Sequence, residues 1–130
     1  LVVITPSAGF VTIPQSMFFG FIGAIVSNKM VYWKKLKEID DTLDVFACHG
    51  VGGIMGMILT AIFAQGENAS LLHGGFSVFG HHMMALVLVS VFTFGGSYLL
   101  FKLTNLIIPI RVSEESEDIG LDLSQHGEKF

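Results

Sequence analysis

The sequence predicts an all-α transmembrane fold with three membrane-spanning helices, and three observations lead there. Hydrophobic residues make up 52% of the 130 residues, charged residues only 14%, and the mean hydropathy is +0.68. A water-soluble domain of this size needs more polar surface to cover its core. The apolar residues collect at about residues 13–33, 44–64 and 78–108, each long enough for the roughly 20 residues that a helix needs to cross a bilayer. Lysines are confined to one of the two intervening loops, which gives the three crossings a consistent direction.

The first helix, residues 13–33, carries Pro14 in its first turn, where a missing N–H costs nothing. The second, 44–64, has no charge after Asp44. It is preceded by Asp40 and Asp41, either of which suits the free amides of a helix N-terminus, and Asp44 is read as a further N-terminal residue. Residues 64–68, Ala-Gln-Gly-Glu-Asn, end it. The third, 78–108, is interrupted only by Lys102 and stopped by Pro109. It exceeds one crossing, which predicts tilt or projection past the membrane. Residues 1–110 form the membrane part and 111–130 a polar tail, of which the acidic stretch 113–122 is expected to be flexible in isolation.

Lys29, Lys34, Lys35 and Lys37 mark the loop between helices one and two as cytoplasmic, and Arg111 does the same for the tail. The loop between helices two and three, about 65–77, lacks Lys and Arg and is external. Tyr32 and Trp33 fall at the inner interface, and Lys102 is placed to snorkel. The chain starts at Leu1 inside an apolar run with no basic n-region, which predicts a segment of a longer protein rather than a signal peptide. No basic stripe with interleaved aromatics points to nucleic acid. A single cysteine, Cys48, forms no internal disulfide or cysteine-based zinc site.

Helix two carries Gly50, Gly52, Gly53 and Gly56, the last spaced from Gly52 as a small-xxx-small pair. Such residues admit close backbone approach where lipid supplies no hydrophobic drive. The small residues on all three helices predict partner helices outside the chain.

His49 is the residue of greatest chemical interest. An imidazole placed one to two turns into an apolar helix is costly unless it faces protein or a cavity. Two readings stand: a packing histidine bonded to a neighbouring helix, or a pore-lining group that handles a proton or polar substrate. Val45, one turn earlier, shares its face. His81 and His82 diverge on the third helix, and with His73 they are read as interfacial rather than as a metal site. A Cys48–His49 nucleophile is rejected, since helical neighbours diverge and no carboxylate orients the ring. No metal, cofactor or enzymatic chemistry is expected.

The run from Asp40 to Gly56, DDTLDVFACHGVGGIMG, resembles the tenth-helix signature D-D-x-x-D-x-F-x-x-H-G-x-x-G-x-x-G of the ammonium transporter family (Amt/Mep, related to the Rhesus proteins). Upstream, ITPSAGFV at 4–11 is similar to its ninth-helix approach, I-T-P-x-x-G-x-V. Downstream, GLDLSQHGE at 120–128 is similar to its tail pattern, G-L-D-x-x-x-H-G-E. Three motifs in order over nearly the whole chain make the resemblance specific. Thr42, where many members have Pro, is a minor departure.

The resemblance implies an eleven-helix fold of two inverted halves, assembled as a homotrimer with a pore in each subunit. This chain then holds helices nine to eleven, and His49 is the second of two facing pore histidines. It implies passage of ammonium, as ammonia, and of methylammonium across the plasma or inner membrane in the service of nitrogen utilisation. The tail, through Gly120, Asp122, His126 and Gly127, is expected to dock on cytoplasmic loops. A trimeric PII signalling protein is expected as a partner at the cytoplasmic face. The alternative is a sensor relative that signals ammonium status through its tail.

Overall fold

The computed structural model describes residues 1–67 and 69–128. Asn68, predicted to help end the second helix, and the last two residues of the predicted tail lie outside the described residues. The described residues form helices and connections with no strand. They divide into two compact units, Leu1–Val89 and Ser90–Phe130, with the division inside the longest helix.

In the first unit, a 3-10 turn at Thr5–Ser7 leads to α1, Ile13–Leu36. Thr12 and Gln15 form a capping box at its start: the Gln15 Oε1 accepts from the Thr12 amide at 2.8 Å. Pro14 occupies the first turn. The helix runs on through Lys29, Lys34 and Lys35, so these lysines are helical and not loop residues. A π-helical turn, Phe46–Val51, continues directly into α2, Gly52–Phe63. The α3 helix, Phe76–Ile107, enters the second unit, which continues as a short α4, Glu114–Ile119, and a π-helical turn at Asp122–His126.

The core of the first unit joins Val3, Phe19 and Leu59, surrounded by Ile4, Val11, Ile22, Met55 and Phe63. Phe63 meets the rings of Phe18 and Phe19 edge to face, at 5.9 and 5.6 Å between centroids, the favoured aromatic geometry. A polar knot closes this end. The Gln65 amide donates to the Phe10 carbonyl at 2.7 Å, and the Gln65 side chain donates to Gln15 Oε1 at 3.3 Å.

Among the described residues two segments are long and apolar enough to cross a membrane: Phe46–Phe63, of 18 residues, and Phe76–Ile107, of 32. Three were expected. The 24 residues of α1 are long enough, but Gln15, Ser16, Ser27, Asn28 and Lys29 dilute its apolar character. The α3 helix is about 48 Å long at a rise of about 1.5 Å per residue, and none of its residues is buried.

In the second unit the tail forms two short helical elements, Glu114–Ile119 and Asp122–His126. Ser113 caps α4 through the Ser116 amide. The Arg111 guanidinium donates to both Glu117 oxygens, at 2.6 and 2.9 Å, the two-pronged geometry of a strong ion pair. This hydrogen-bonded fork holds the Glu117 carboxyl below its ordinary range, outweighing the upward push of desolvation.

Candidate functional site

The second apolar segment begins with an arrangement of charged groups. Of the candidate capping residues, Asp41 supplies the cap. Its two carboxylate oxygens accept from the amides of Val45 and Phe46, each at 2.9 Å, satisfying donors that a helix start leaves open. Partial desolvation pushes the Asp41 carboxyl upward; the Phe46 and Val45 amides and the Lys34 ammonium outweigh it, and the net effect is downward.

Lys34 is the residue that sequence reasoning missed. It is 5% exposed. Its ammonium donates to the Asp41 carbonyl, lies 2.5 Å from Asp44 Oδ1 and 4.0 Å from Asp41 Oδ2. The buried Asp44 Oδ1, which takes no conventional hydrogen bond, is balanced by this ion pair. Asp44 therefore serves as counter-ion to a buried cation rather than only as a dipole-stabilised terminus. Its backbone is left-handed at φ 54°, uncommon for a residue with a side chain. In the sequence Lys34 is one of four similar lysines; the only signal was a basic last helical turn followed by an aspartate-rich return.

His49 lies about one turn into the segment, in the middle of the π-helical stretch. It is exposed in this chain and lines a cavity of about 370 Å³ between the N-terminal residues, α1 and the π-helical turn. Val3, Gly23, Ser27, Cys48 and Gly52 contribute to the same wall. Val45, expected beside His49, is half exposed, and the cavity wall beside the imidazole is instead completed by Cys48 and Gly52.

The glycines divide by contact. A Cβ on Gly56 would stand 2.5 Å from the Val3 carbonyl oxygen and 3.0 Å from its carbon, a backbone approach that only glycine permits. On Gly52 or Gly53 it would make ordinary contacts, at 3.7 Å to Ser27 and 3.8 Å to Val2. On Gly50 it would press on the Phe46 ring at 3.2 Å. The close approach is thus between α2 and the N-terminal segment, at Gly56. Gly23 on α1 meets the same residue, with a Cβ at 2.8 Å from a Val3 methyl.

The tail residues occupy one short stretch of the second unit. Gly120 follows α4 at φ 96°, Asp122 and His126 bound the π-helical turn, and Gly127 ends it at φ 68°. Asp122 and His126 are exposed. Among the described residues no group of His, Cys, Asp and Glu is arranged to hold a metal ion.

Comparison with known proteins gives a consistent result. The family model described as Ammonium Transporter Family matches residues 1–130. A Bacillus subtilis ammonium transporter is 41% identical over 99% of the chain, and the ammonium transporter Amt1 of Archaeoglobus fulgidus is 34% identical over 98%. The chain covers 33% and 34% of those two relatives, about a third of their length. The crystal structure of Candida albicans Mep2 superposes with a TM-score of 0.79 at 30% identity, over 95% of this chain and 30% of that one. These relatives are transporters and not enzymes.

Proposed function

The chain belongs to the ammonium transporter family, and on that premise we propose that the protein carries ammonium, as ammonia, across a cell membrane through a narrow apolar conduit. His49 is one of its lining groups. The observation that carries this reading is the imidazole's place on a cavity wall at the start of an apolar segment, within a chain matched by transporters from end to end.

The physics follows from desolvation. Moving an intact ammonium ion into an apolar lumen carries a large penalty. Giving up a proton at the entrance removes most of it, and neutral ammonia then crosses as a hydrogen-bonding molecule. A neutral imidazole carries one donor and one acceptor nitrogen, able to donate to or accept from ammonia. A second histidine from another helix would complete a pair along which the proton travels separately.

In the assembled protein, α1, the segment 46–63 and α3 serve as three crossings of an eleven-helix fold, with the tail on the cytoplasmic side. The remaining helices cover α3 and close the wall opposite His49. The same reading extends to a homotrimer with one conduit per subunit, to methylammonium as an alternative substrate, and to the tail as a docking element for cytoplasmic loops and a PII protein.

Uptake of radiolabelled methylammonium by cells making the full-length protein tests the proposal. Saturable uptake is expected, and His49→Ala is expected to change flux or ion selectivity sharply while leaving assembly intact. Background uptake by correctly assembled protein, or an unaltered His49→Ala variant, would overturn it.

A further inference from the structure

We propose that Lys34 is a positioning residue for the His49 imidazole, acting through Asp41 and Asp44 to hold the π-helical turn on which His49 sits. The inference rests on reading His49 as a lining group of the conduit.

The second apolar segment is fixed at two points. One is Gly56, whose backbone lies against the Val3 carbonyl so closely that no side chain fits between them. The other is the connection 41–44, which the buried Lys34 ammonium ties to the last turn of α1 through the Asp41 carbonyl and the Asp44 carboxylate. This second tie is continuous with the helix start. The Asp44 amide donates to the Asp41 carbonyl at 3.1 Å, the Asp41 carboxylate receives the Val45 and Phe46 amides, and the Asp44 carbonyl receives the Cys48 amide at 2.9 Å.

The number of residues between the two fixed points is set by the sequence. An α-helix turns about 100° per residue, at 3.6 residues per turn. A π-helical turn closes its hydrogen bonds one residue later and so absorbs one residue more. It rotates everything before it by about that angle relative to everything after it. The direction of His49 relative to Gly56 is therefore a consequence of the π-helical winding at Phe46–Val51. A π-helical turn is less favourable than an α-helical one and survives where its surroundings enforce it. Here the enforcing group is the Lys34 ion pair, which also holds Asp44 in its left-handed backbone. Without it, Asp44 is free to relax, the segment rewinds as an α-helix, and His49 and Cys48 turn away from the cavity wall.

Cys48 reports the outcome, because it is exposed and shares that wall with His49. The experiment uses the full-length protein in membranes with Cys48 as its one cysteine. It measures the labelling rate by a small cationic methanethiosulfonate together with methylammonium uptake. Lys34→Met is expected to change the labelling rate and the maximal uptake by roughly tenfold to a hundredfold, the scale of a misplaced functional group. The half-saturating concentration should change little, and Lys34→Arg should restore most of both rates.

Wild-type labelling in Lys34→Met, whatever its uptake, would overturn the proposal. If Lys34→Met fails to reach the membrane, the double variant Lys34→Met/Asp44→Asn removes both buried charges and keeps a residue that tolerates the left-handed backbone. Altered labelling there supports the proposal, and wild-type labelling overturns it. Absence of uptake by the unsubstituted protein would remove the transport reading, while the labelling rates would still decide the role of Lys34.

Discussion

Single residues carry much of the chemistry, and two of them illustrate how. Lys34 is a buried side chain whose ammonium faces three oxygens; removing these counter-ions would leave it buried without compensation. Glu117 is the exposed counterpart, held by the Arg111 fork. Because the folded Glu117 carboxyl titrates below its ordinary value of 4.5, its contribution to tail order is fully present above that pH. It is lost as pH falls through the lowered value. The protection of amides across residues 113–119 of the full-length protein, taken relative to their intrinsic exchange rate at each pH, should therefore fall on acidification below about pH 4.5. Glu117→Gln should show that loss of protection already at neutral pH. Equal protection in both proteins from neutral to acid pH would show that the fork holds nothing.

At the scale of the elements, packing and winding decide what the sequence left open. The DDTLDVFACHG run identified the start of the second segment and its imidazole, because aspartates before an apolar run have few physical roles other than capping. It did not mark a π-helical turn, since π and α winding use the same residue types and differ in hydrogen-bond register, which the surroundings of the turn decide. Nor did it rank the glycines. Gly52 and Gly56 look alike in sequence, yet only Gly56 abuts a carbonyl, and that carbonyl belongs to Val3, more than fifty positions away. Gly56→Ala should cost about 1–3 kcal/mol, the usual penalty of overpacking, while Gly52→Ala should be tolerated. Thermal melting of the detergent-extracted full-length protein compares them; equal melting temperatures would remove Gly56 from its place in the packing. Helix α1 shows the reverse case, in which length suggested a crossing and composition diluted the signal: Gln15 and Ser16 at its start and Ser27, Asn28 and Lys29 past its midpoint leave only residues 17–26 without a polar side chain.

Across the whole molecule, the described residues present far more apolar surface than they bury. Among the described residues only six hydrophobic ones are buried, and α3 contributes none of them. This agrees with the chain covering about a third of its relatives, and it explains why the opposite wall of the His49 cavity was not legible from these residues. What the first unit does contain is a helix secured at both extremities. Gln15 bonds Thr12 and is bonded by Gln65 at one end of α1, and Lys34 grips the aspartates at the other. A rod fastened at its two tips can bear load along its axis but has little freedom to swing, so on the transport reading proposed above any passage beside it relies on the jostling of side chains rather than on rocking of the rod. Hydrogen exchange through the middle of α1 should accordingly proceed as one cooperative block; graded fraying inward from either tip would show that the fastenings do not bear that load.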